Sequence, residues 1–155
     1  MNRVMTWTEA VAWREELGRQ GKRVVFTNGV FDILHPGHVR YLAQARRQGD
    51  ALIVAVNSDR SVRANKGPER PVHPEAERAE VITALAVVDV AVVFDEDTPH
   101  DIISAIQPDV LVKGADWPAD QIVGRDIVEA RGGVVIRVPV EAGHSTTNVL
   151  KKVKG

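Results

Sequence analysis

Two histidines in the first third of the chain have the spacing of an anion-binding site. His35 and His38 flank Pro36 and Gly37, and proline suits the first position of a helix, where no backbone donor is lost. Gly37 has no side chain, so a bulky ligand can approach the backbone there. The unpaired N–H groups and positive dipole of a helix N-terminus attract anions. Two imidazoles beside such an end therefore predict a donor cluster for phosphate oxygens, suited to a triphosphate.

Two other interpretations of this histidine pair remain open from the residues alone. A single histidine at such a position more often has a structural role, such as capping the helix, than a ligand-binding one. The pair could also bind zinc, but catalytic zinc normally takes three protein ligands and no third candidate lies nearby in the sequence. Neither interpretation explains why Asn28, Gly29 and Asp32 occur in the same turn.

Apolar runs on both sides of the histidine segment predict the elements that position it. Residues 23–27 and 51–56 have the length and composition of strands buried on both faces, and the chain between them has apolar residues at helical spacing. The same pattern predicts further strands at residues 90–94, 109–113 and 134–138. Further helices are predicted at residues 6–20, 74–86, 98–107, 124–131 and 145–152.

Five strands that alternate with helices predict an α/β fold, with an open parallel five-stranded sheet covered by helices on both faces. In such Rossmann-like sheets, right-handed crossovers place ligands beyond the carboxyl ends of the strands. The histidine pair falls at such an end. The one long polar stretch, residues 63–74, predicts a surface loop.

The composition excludes several classes of function. The chain has 155 residues, the size of one ordinary domain, so we expect a single domain over residues 1–155. A net charge of -1 gives no broad cationic field for nucleic acid, and the lack of cysteine excludes disulfides and thiolate chemistry. No apolar run approaches the roughly 18 residues of a membrane span, and no signal segment begins the chain. We therefore expect a cytoplasmic protein with neither a membrane nor a nucleic-acid partner.

The segment at residues 29–38 fits the pattern Gly-x-Phe-Asp-x-x-His-x-Gly-His at every specified position. It resembles the hallmark of the cytidylyltransferase-like nucleotidyltransferases. Within that family the chain is most similar to the domains that adenylate heptose 1-phosphate, and the similarity covers residues 22–153. Besides the histidine motif, the segments that show this similarity are residues 56–59, 66–67, 70–72, 112–116 and 145–148.

The resemblance implies a nucleotidyltransferase fold and an enzyme that transfers AMP from ATP to a sugar 1-phosphate. The products would be ADP-heptose, for the lipopolysaccharide core or another heptose glycan, and pyrophosphate. It implies Mg²⁺ bound with ATP and no metal site built from protein ligands. In many relatives the domain is fused to a sugar kinase, for which 155 residues leave no room, so a heptose kinase is expected as a separate chain. Relatives commonly form homodimers, and we expect one here.

The resemblance also implies roles for individual residues. The implied catalytic residues are His35, His38 and Lys66. Nucleotide binding is implied for Asn28, Gly29, Phe31, Asp32, Gly37, Lys113, Gly114, Asp116, Ser145, Thr146 and Thr147. Binding of the second substrate is implied for Asn57, Arg70 and Arg78. Among these, Asp32 is expected mainly to hold the turn or to reach water.

Simpler interpretations of several of these residues also remain open. Lys66, Arg70 and Arg78 could be solvated charges on the polar loop. Asp116 could cap a turn. The hydroxyl groups of residues 145–147 could cap the last helix, although capping and phosphate binding can coexist.

Other functions stay open at this stage. A sibling enzyme with the same mechanism could combine glycerol 3-phosphate with CTP, or FMN with ATP. A nucleotide-binding sensor would bind ATP without releasing pyrophosphate. A flavodoxin-like electron carrier would bind a flavin, but the first loop lacks the hydroxyl-rich phosphate cradle of such proteins.

Overall fold

The computed structural model describes residues 2–139 and 146–154, with only the backbone for residues 146–148. Its strands are β1 (Arg3–Val4), β2 (Val24–Gly29), β3 (Ala51–Asn57), β4 (Val90–Phe94), β5 (Val110–Gly114) and β6 (Val134–Val138). Its helices are α1 (Trp7–Arg19), α2 (Pro36–Arg46), α3 (Asp59–Lys66), α4 (Glu75–Thr83), α5 (His100–Ile106), α6 (Arg125–Ala130) and α7 (Thr146–Lys154). Within the described ranges, no helix is both long enough and apolar enough to cross a bilayer.

The described strands form one parallel sheet in the order β1-β4-β3-β2-β5-β6, which confirms the α/β fold. The predicted number of five strands is wrong, because the sheet has six. The additional strand, Arg3–Val4, is exposed and pairs with the start of β4. Two residues are too few to show a period in the sequence. Tertiary contacts hold them instead, including a 2.7 Å hydrogen bond from the Asn2 side chain to the carbonyl of Val88.

The polar stretch predicted as a loop over residues 63–74 begins inside a helix, because α3 extends from Asp59 to Lys66. The hydroxyl of Ser58 caps this helix by accepting the backbone N–H of Ser61. Val62 is the only large apolar side chain of α3, and it is buried. A single apolar residue gives no helical repeat, so the sequence pattern could not predict this helix.

The strand order reverses between β2 and β5, which lie side by side in the sheet. The chain leaves β2 toward β3 on one side and leaves β5 toward β6 on the other. Open α/β sheets form a ligand crevice at the carboxyl ends of strands where such a reversal occurs. The fold therefore places the histidine segment, which follows Gly29, beside the segment that follows Gly114.

Each face of the sheet has its own hydrophobic core. The α1 face packs against α1, α5 and α6 and includes Phe26, whereas the α2 face packs against α2 and α4 and includes Val25. Successive residues of a strand point to opposite faces. Thr27 therefore points toward the α2 face and Asn28 toward the α1 face. By the same alternation Lys113 lies on the α1 face, because it is two residues after Leu111, which belongs to the core on that face.

Candidate active site

The loop after β2 turns sharply at Phe31. This residue has a φ of 48°, in the left-handed region, and its ring is buried. The ring lies directly over Gly29, where an added Cβ would be only 2.8 Å from a ring carbon. A side chain at this position would therefore collide with the Phe31 ring unless the ring moved. The turn delivers both histidines to the crevice.

His35 and His38 form a stacked pair at the start of α2. His35 is the N-cap residue, and Pro36 and Gly37 begin the helix, as the sequence predicted. The two imidazole centroids lie 3.8 Å apart with 23° between the ring planes. Phe31 supports the pair by meeting the His38 ring edge-on at 5.4 Å. Both histidines are half-buried, so their rings face each other without being enclosed in the core.

Burial keeps His38 neutral. Loss of hydration, together with the neighbouring His35 ring, lowers the pKa of His38 to about 4. The Nδ1 atom of His38 accepts the backbone N–H of His35 at 3.4 Å, so the proton of the neutral ring belongs on Nε2. His38 can therefore donate from Nε2 to an anion beside the N–H of Gly37, because Pro36 has no N–H and those of His38 and Val39 donate to the carbonyl of His35.

Asp32 attaches the histidine loop to residues 70–73. Its carboxylate has no exposed area and accepts the backbone N–H groups of Val72 at 2.7 Å and His73 at 2.9 Å. The Nε atom of Arg70 also donates to it at 3.3 Å. Asp32 thus holds the turn, as expected, but a fully buried carboxylate cannot contact a nucleotide directly. The predicted direct role of Asp32 in nucleotide binding is not supported.

Arg78 also lies behind the crevice. Its guanidinium group has no exposed area and donates to the carbonyls of Val30 and His73 and to the carboxylate of Asp59, at 2.8 to 2.9 Å. Arg78 thus joins three segments of the chain, which contain Val30, Asp59 and His73. The prediction that Arg78 binds the second substrate is corrected here, because its guanidinium group is buried and bonded within the protein. Sequence spacing gave no sign of this burial.

Lys66 and Asn57 lie near the ends of elements that follow β2. Lys66 is the last residue of α3 and is exposed, and the chain then reverses at Gly67 with a φ of 98°. Asn57 is half-buried at the carboxyl end of β3, one residue beyond the partner of Gly29. Its side-chain Nδ2 donates to the hydroxyl of Ser61 at 3.1 Å. The predicted roles of Lys66 and Asn57 in catalysis and substrate binding stay predictions.

The end of β5 and the turn after it present a cation and an aromatic ring beside the crevice. The Lys113 amine lies 5.2 Å from the centre of the Trp117 ring, and Trp117 is 47% exposed. Burial lowers the pKa of Lys113, while the carboxylate of Asp116 opposes that shift. Arg137 of β6 fixes the turn after Gly114 by donating to the carbonyl of Trp117 at 2.8 Å. The fold thus brings this predicted nucleotide-binding segment next to the histidine loop.

Tyr41 is a site-supporting residue that the sequence interpretation missed. Its phenol oxygen lies 2.8 Å from the hydroxyl of Thr27 and donates to the carbonyl of Val112 at 3.2 Å. Burial raises the pKa of Tyr41 to about 12, so the phenol keeps its proton. It joins α2 to β2 and β5 where the strand order reverses. The sequence does contain a signal for this role. Tyr41 follows His38 by three residues, as His38 follows His35.

The predicted phosphate-binding hydroxyls lie at the edge of what the structure describes. Ser145 is outside the described residues. Thr146 and Thr147 begin α7, but only their backbone is described. Their roles in nucleotide binding therefore stay predictions.

The described residues contain no group of three His, Asp or Glu side chains that could hold a metal ion. Asp32 cannot serve alone, since its oxygens already accept bonds from the loop of residues 70–73.

The reversal of strand order, with a stacked histidine pair at a helix N-terminus, defines a nucleotide-binding α/β domain. Residues 26–152 match the cytidylyltransferase-like family, and that match covers most of the chain. The chain therefore belongs to the cytidylyltransferase-like family.

Individual relatives agree with this assignment. The chain is 55% identical over 132 residues to the bifunctional protein HldE of Hyphomonas neptunium, and 53% identical over 143 residues to that of Paramagnetospirillum magneticum. These matches cover 85% and 92% of the chain but only 27% and 28% of the relatives. The chain thus spans little more than a quarter of their length.

A solved structure matches over nearly its full length. It is the lipopolysaccharide core biosynthesis protein from Thermoplasma volcanium, which is 33% identical to this chain with a TM-score of 0.64. The match covers 78% of this chain and 98% of that protein.

Proposed function

We propose that this chain is an adenylyltransferase that transfers AMP from ATP to heptose 1-phosphate, producing ADP-heptose and pyrophosphate. The observation on which this depends is the stacked pair of His35 and His38 at the N-terminus of α2, in the crevice where the strand order reverses. The choice of substrates is supported by 52–55% identity to HldE proteins and by similarity to a lipopolysaccharide core biosynthesis protein.

In this reaction a phosphate oxygen of the sugar attacks the α-phosphorus of ATP. One P–O bond forms there as the bond to the β-phosphate oxygen breaks, and pyrophosphate leaves with the electron pair. No general base is required, because a phosphate monoester is already ionised at neutral pH. The barrier lies in bringing two anions together and in stabilising the charge that develops on the phosphates.

The crevice supplies donors rather than a nucleophile. The Nε2–H of His38 and the backbone N–H of Gly37 are in place before any ligand binds, so little reorganisation is needed during reaction. Because His38 is neutral, its donation does not depend on a change of protonation near pH 7. Lys66, with its exposed amine, is proposed to approach the phosphates from the end of α3.

The ATP is proposed to enter as its Mg²⁺ complex, with the ion held by phosphate oxygens and water. Mg²⁺ usually keeps several waters and binds through substrate phosphates, which agrees with this proposal. We also propose a homodimer, a cytoplasmic location and supply of the sugar 1-phosphate by a kinase on a separate chain. These three proposals depend on the family resemblance.

The proposed function is tested by pyrophosphate release from the purified chain. Each of ATP and CTP is combined with heptose 1-phosphate, glycerol 3-phosphate or FMN, in the presence of Mg²⁺. We expect release with ATP and heptose 1-phosphate to exceed every other pair by at least about 100-fold in kcat/KM, roughly what one unpaired buried polar contact can discriminate. Preference for CTP with glycerol 3-phosphate, or for ATP with FMN, would reassign the enzyme, and tight ATP binding without release would identify a sensor.

A further inference from the structure

Asn28, next to last in β2, has a buried side-chain oxygen without a hydrogen-bond donor. Its Oδ1 has no partner among the residues that the structure describes. Burying an acceptor in this way costs free energy, and such groups are rare enough in folded proteins to require an explanation. The side chain points to the α1 face, away from α2, so the histidine pair does not satisfy it.

Asn57 of the neighbouring strand offers a second acceptor on the same face. Asn28 pairs with Ala55, and Asn57 is two residues further along β3, which returns it to the α1 face. The hydroxyl of Ser61 donates to the carbonyl of Glu96, so it must accept from Asn57 Nδ2. This fixes the amide orientation and leaves the side-chain oxygen of the half-buried Asn57 available to accept a hydrogen bond from a ligand.

The chemistry of these two oxygens excludes phosphate as their ligand. Phosphate groups of ATP and of a sugar phosphate are acceptors at neutral pH and have no proton to donate to an amide oxygen. Both oxygens require donors, which are hydroxyl or amino groups of a ligand, or water. Sugars supply several hydroxyls at fixed spacing, which matches two acceptors on adjacent strands.

The position of the two asparagines indicates which sugar they contact. Lys113 and Trp117 lie at the end of β5 and just after it, on one side of β2. The resemblance implies that this segment holds the nucleoside. Asn57 lies on β3, on the opposite side. A nucleotide centred on β2 and extending toward β5 leaves the β3 side for the second substrate.

We propose that the side-chain oxygens of Asn28 and Asn57 accept hydrogen bonds from hydroxyl groups of the acceptor sugar and so select it. This inference depends on the proposed function, because it assigns the sugar 1-phosphate to the β3 side of the crevice. Under this proposal Asn28 contacts the sugar, whereas the resemblance implies that it contacts the nucleotide.

The test compares Asn28→Ala and Asn57→Ala with Gln48→Ala. Gln48 follows α2 at the opposite edge of the sheet, where its amide donates to the carbonyl of Gln44, and it serves as the matched control. We expect each asparagine variant to raise KM for heptose 1-phosphate at least about tenfold, the usual effect of losing one buried hydrogen bond to a substrate. KM for ATP should stay within about twofold of wild type, since only the sugar loses a partner. The melting temperature of Asn28→Ala should not fall, since that change removes an unsatisfied oxygen.

Two results would overturn the proposal. If KM for ATP rises and KM for the sugar does not, the oxygens contact the ribose of the nucleotide. If neither changes, no substrate hydroxyl reaches them.

Calorimetric titration of heptose 1-phosphate into the protein without ATP separates this proposal from the proposed function. Binding that the asparagine variants weaken, in a protein that releases no pyrophosphate, would support the sugar site while contradicting the enzyme assignment. Absence of binding to the wild-type chain would overturn the sugar site, even if pyrophosphate release with another acceptor showed transferase activity.

Discussion

His38 has two properties that a phosphate-binding donor needs, a fixed tautomer and a fixed orientation. The N–H of His35 selects the tautomer, and stacking between the two rings and the edge of Phe31 fixes the plane. A donor fixed in advance stabilises developing charge without having to reorganise. The same preorganisation makes the residue difficult to replace.

Replacing His38 should abolish most activity without unfolding the protein. We expect His38→Ala to lower kcat at least about 100-fold, the usual cost of one preorganised donor. The exposed His100 on α5 provides the matched control, and His100→Ala should keep wild-type turnover. Both variants should show the circular dichroism spectrum of the wild-type chain. Near-normal turnover of His38→Ala would contradict the assigned role.

The depressed pKa of His38 predicts a particular dependence on pH. Its pKa is about 4 in the folded protein, against about 6.5 in an unfolded chain. The unfolded state therefore binds a proton first as the pH falls, so this group lowers the free energy of unfolding progressively between about pH 6.5 and 4. Above about pH 6.5 its contribution to stability is constant. NMR titration of the His38 ring should give a midpoint near pH 4, and a midpoint near the unfolded value would refute burial as the cause.

Among the elements, the loop of residues 70–73 depends on the histidine loop for its position. Asp32→Asn keeps the shape of the side chain but removes the charge that binds Val72, His73 and Arg70. We expect a loss of about 2 kcal/mol in the free energy of unfolding, the scale of hydrogen bonds to a charged group. Hydrogen exchange at the Val72 and His73 amides should accelerate in parallel.

The control for that experiment is an exposed carboxylate. Asp97 forms a surface pair with Arg60, with both side chains more than half exposed. Asp97→Asn should change the unfolding free energy by no more than about 0.5 kcal/mol in urea titration. Equal effects of the two substitutions would show that Asp32 does not fix the loop.

Elements with a local signal were predictable from the sequence, and those held by tertiary contacts were not. Thr6 and Glu9 have capping-box spacing in the sequence, and at the start of α1 they form reciprocal hydrogen bonds at 3.0 and 3.2 Å. The apolar runs of β2 and β3 identified the buried strands. By contrast, Arg3–Val4 forms a strand only because β4 offers it an edge. Sequence spacing likewise could not distinguish the buried Arg78 from the exposed Lys66.

At the scale of the whole molecule, the two edges of the sheet have different tasks. The crevice lies at the carboxyl edge. At the amino edge, the buried Arg14 donates to the carbonyl of Gln107 at 2.9 Å and to Asp109 at 3.1 Å. Asp109 in turn accepts the backbone N–H of Val24 at the start of β2. Stability and catalysis should therefore respond to different substitutions.

Arg14→Ala tests this separation. We expect it to lower the free energy of unfolding by about 2 kcal/mol, because it leaves the half-buried carbonyl of Gln107 without its charged donor and removes one of the two arginines paired with Asp109. The exposed Arg19, paired with Glu16 on the same helix, is the control, and Arg19→Ala should cost no more than about 0.5 kcal/mol. Both variants should keep wild-type kcat and KM at temperatures where they are folded. A rise in KM for ATP in Arg14→Ala would show that the two edges are coupled.

The convergence of the histidine loop with the segment after Gly114 could be predicted, because parallel α/β sheets bring these strand ends together. The sequence could not reveal which polar groups would end up without partners. The orphaned oxygen of Asn28 depends on the positions of all neighbouring strands, and only the folded chain shows it.

The contact between Gly29 and the Phe31 ring limits how this protein can evolve. A methyl group at position 29 would force the aromatic ring to shift, and because that ring packs against the His38 imidazole, even alanine would disturb the crevice. In a saturation library selected for growth that depends on this chain, we expect glycine codons alone to survive there, while many substitutions persist on the outer surfaces of the helices.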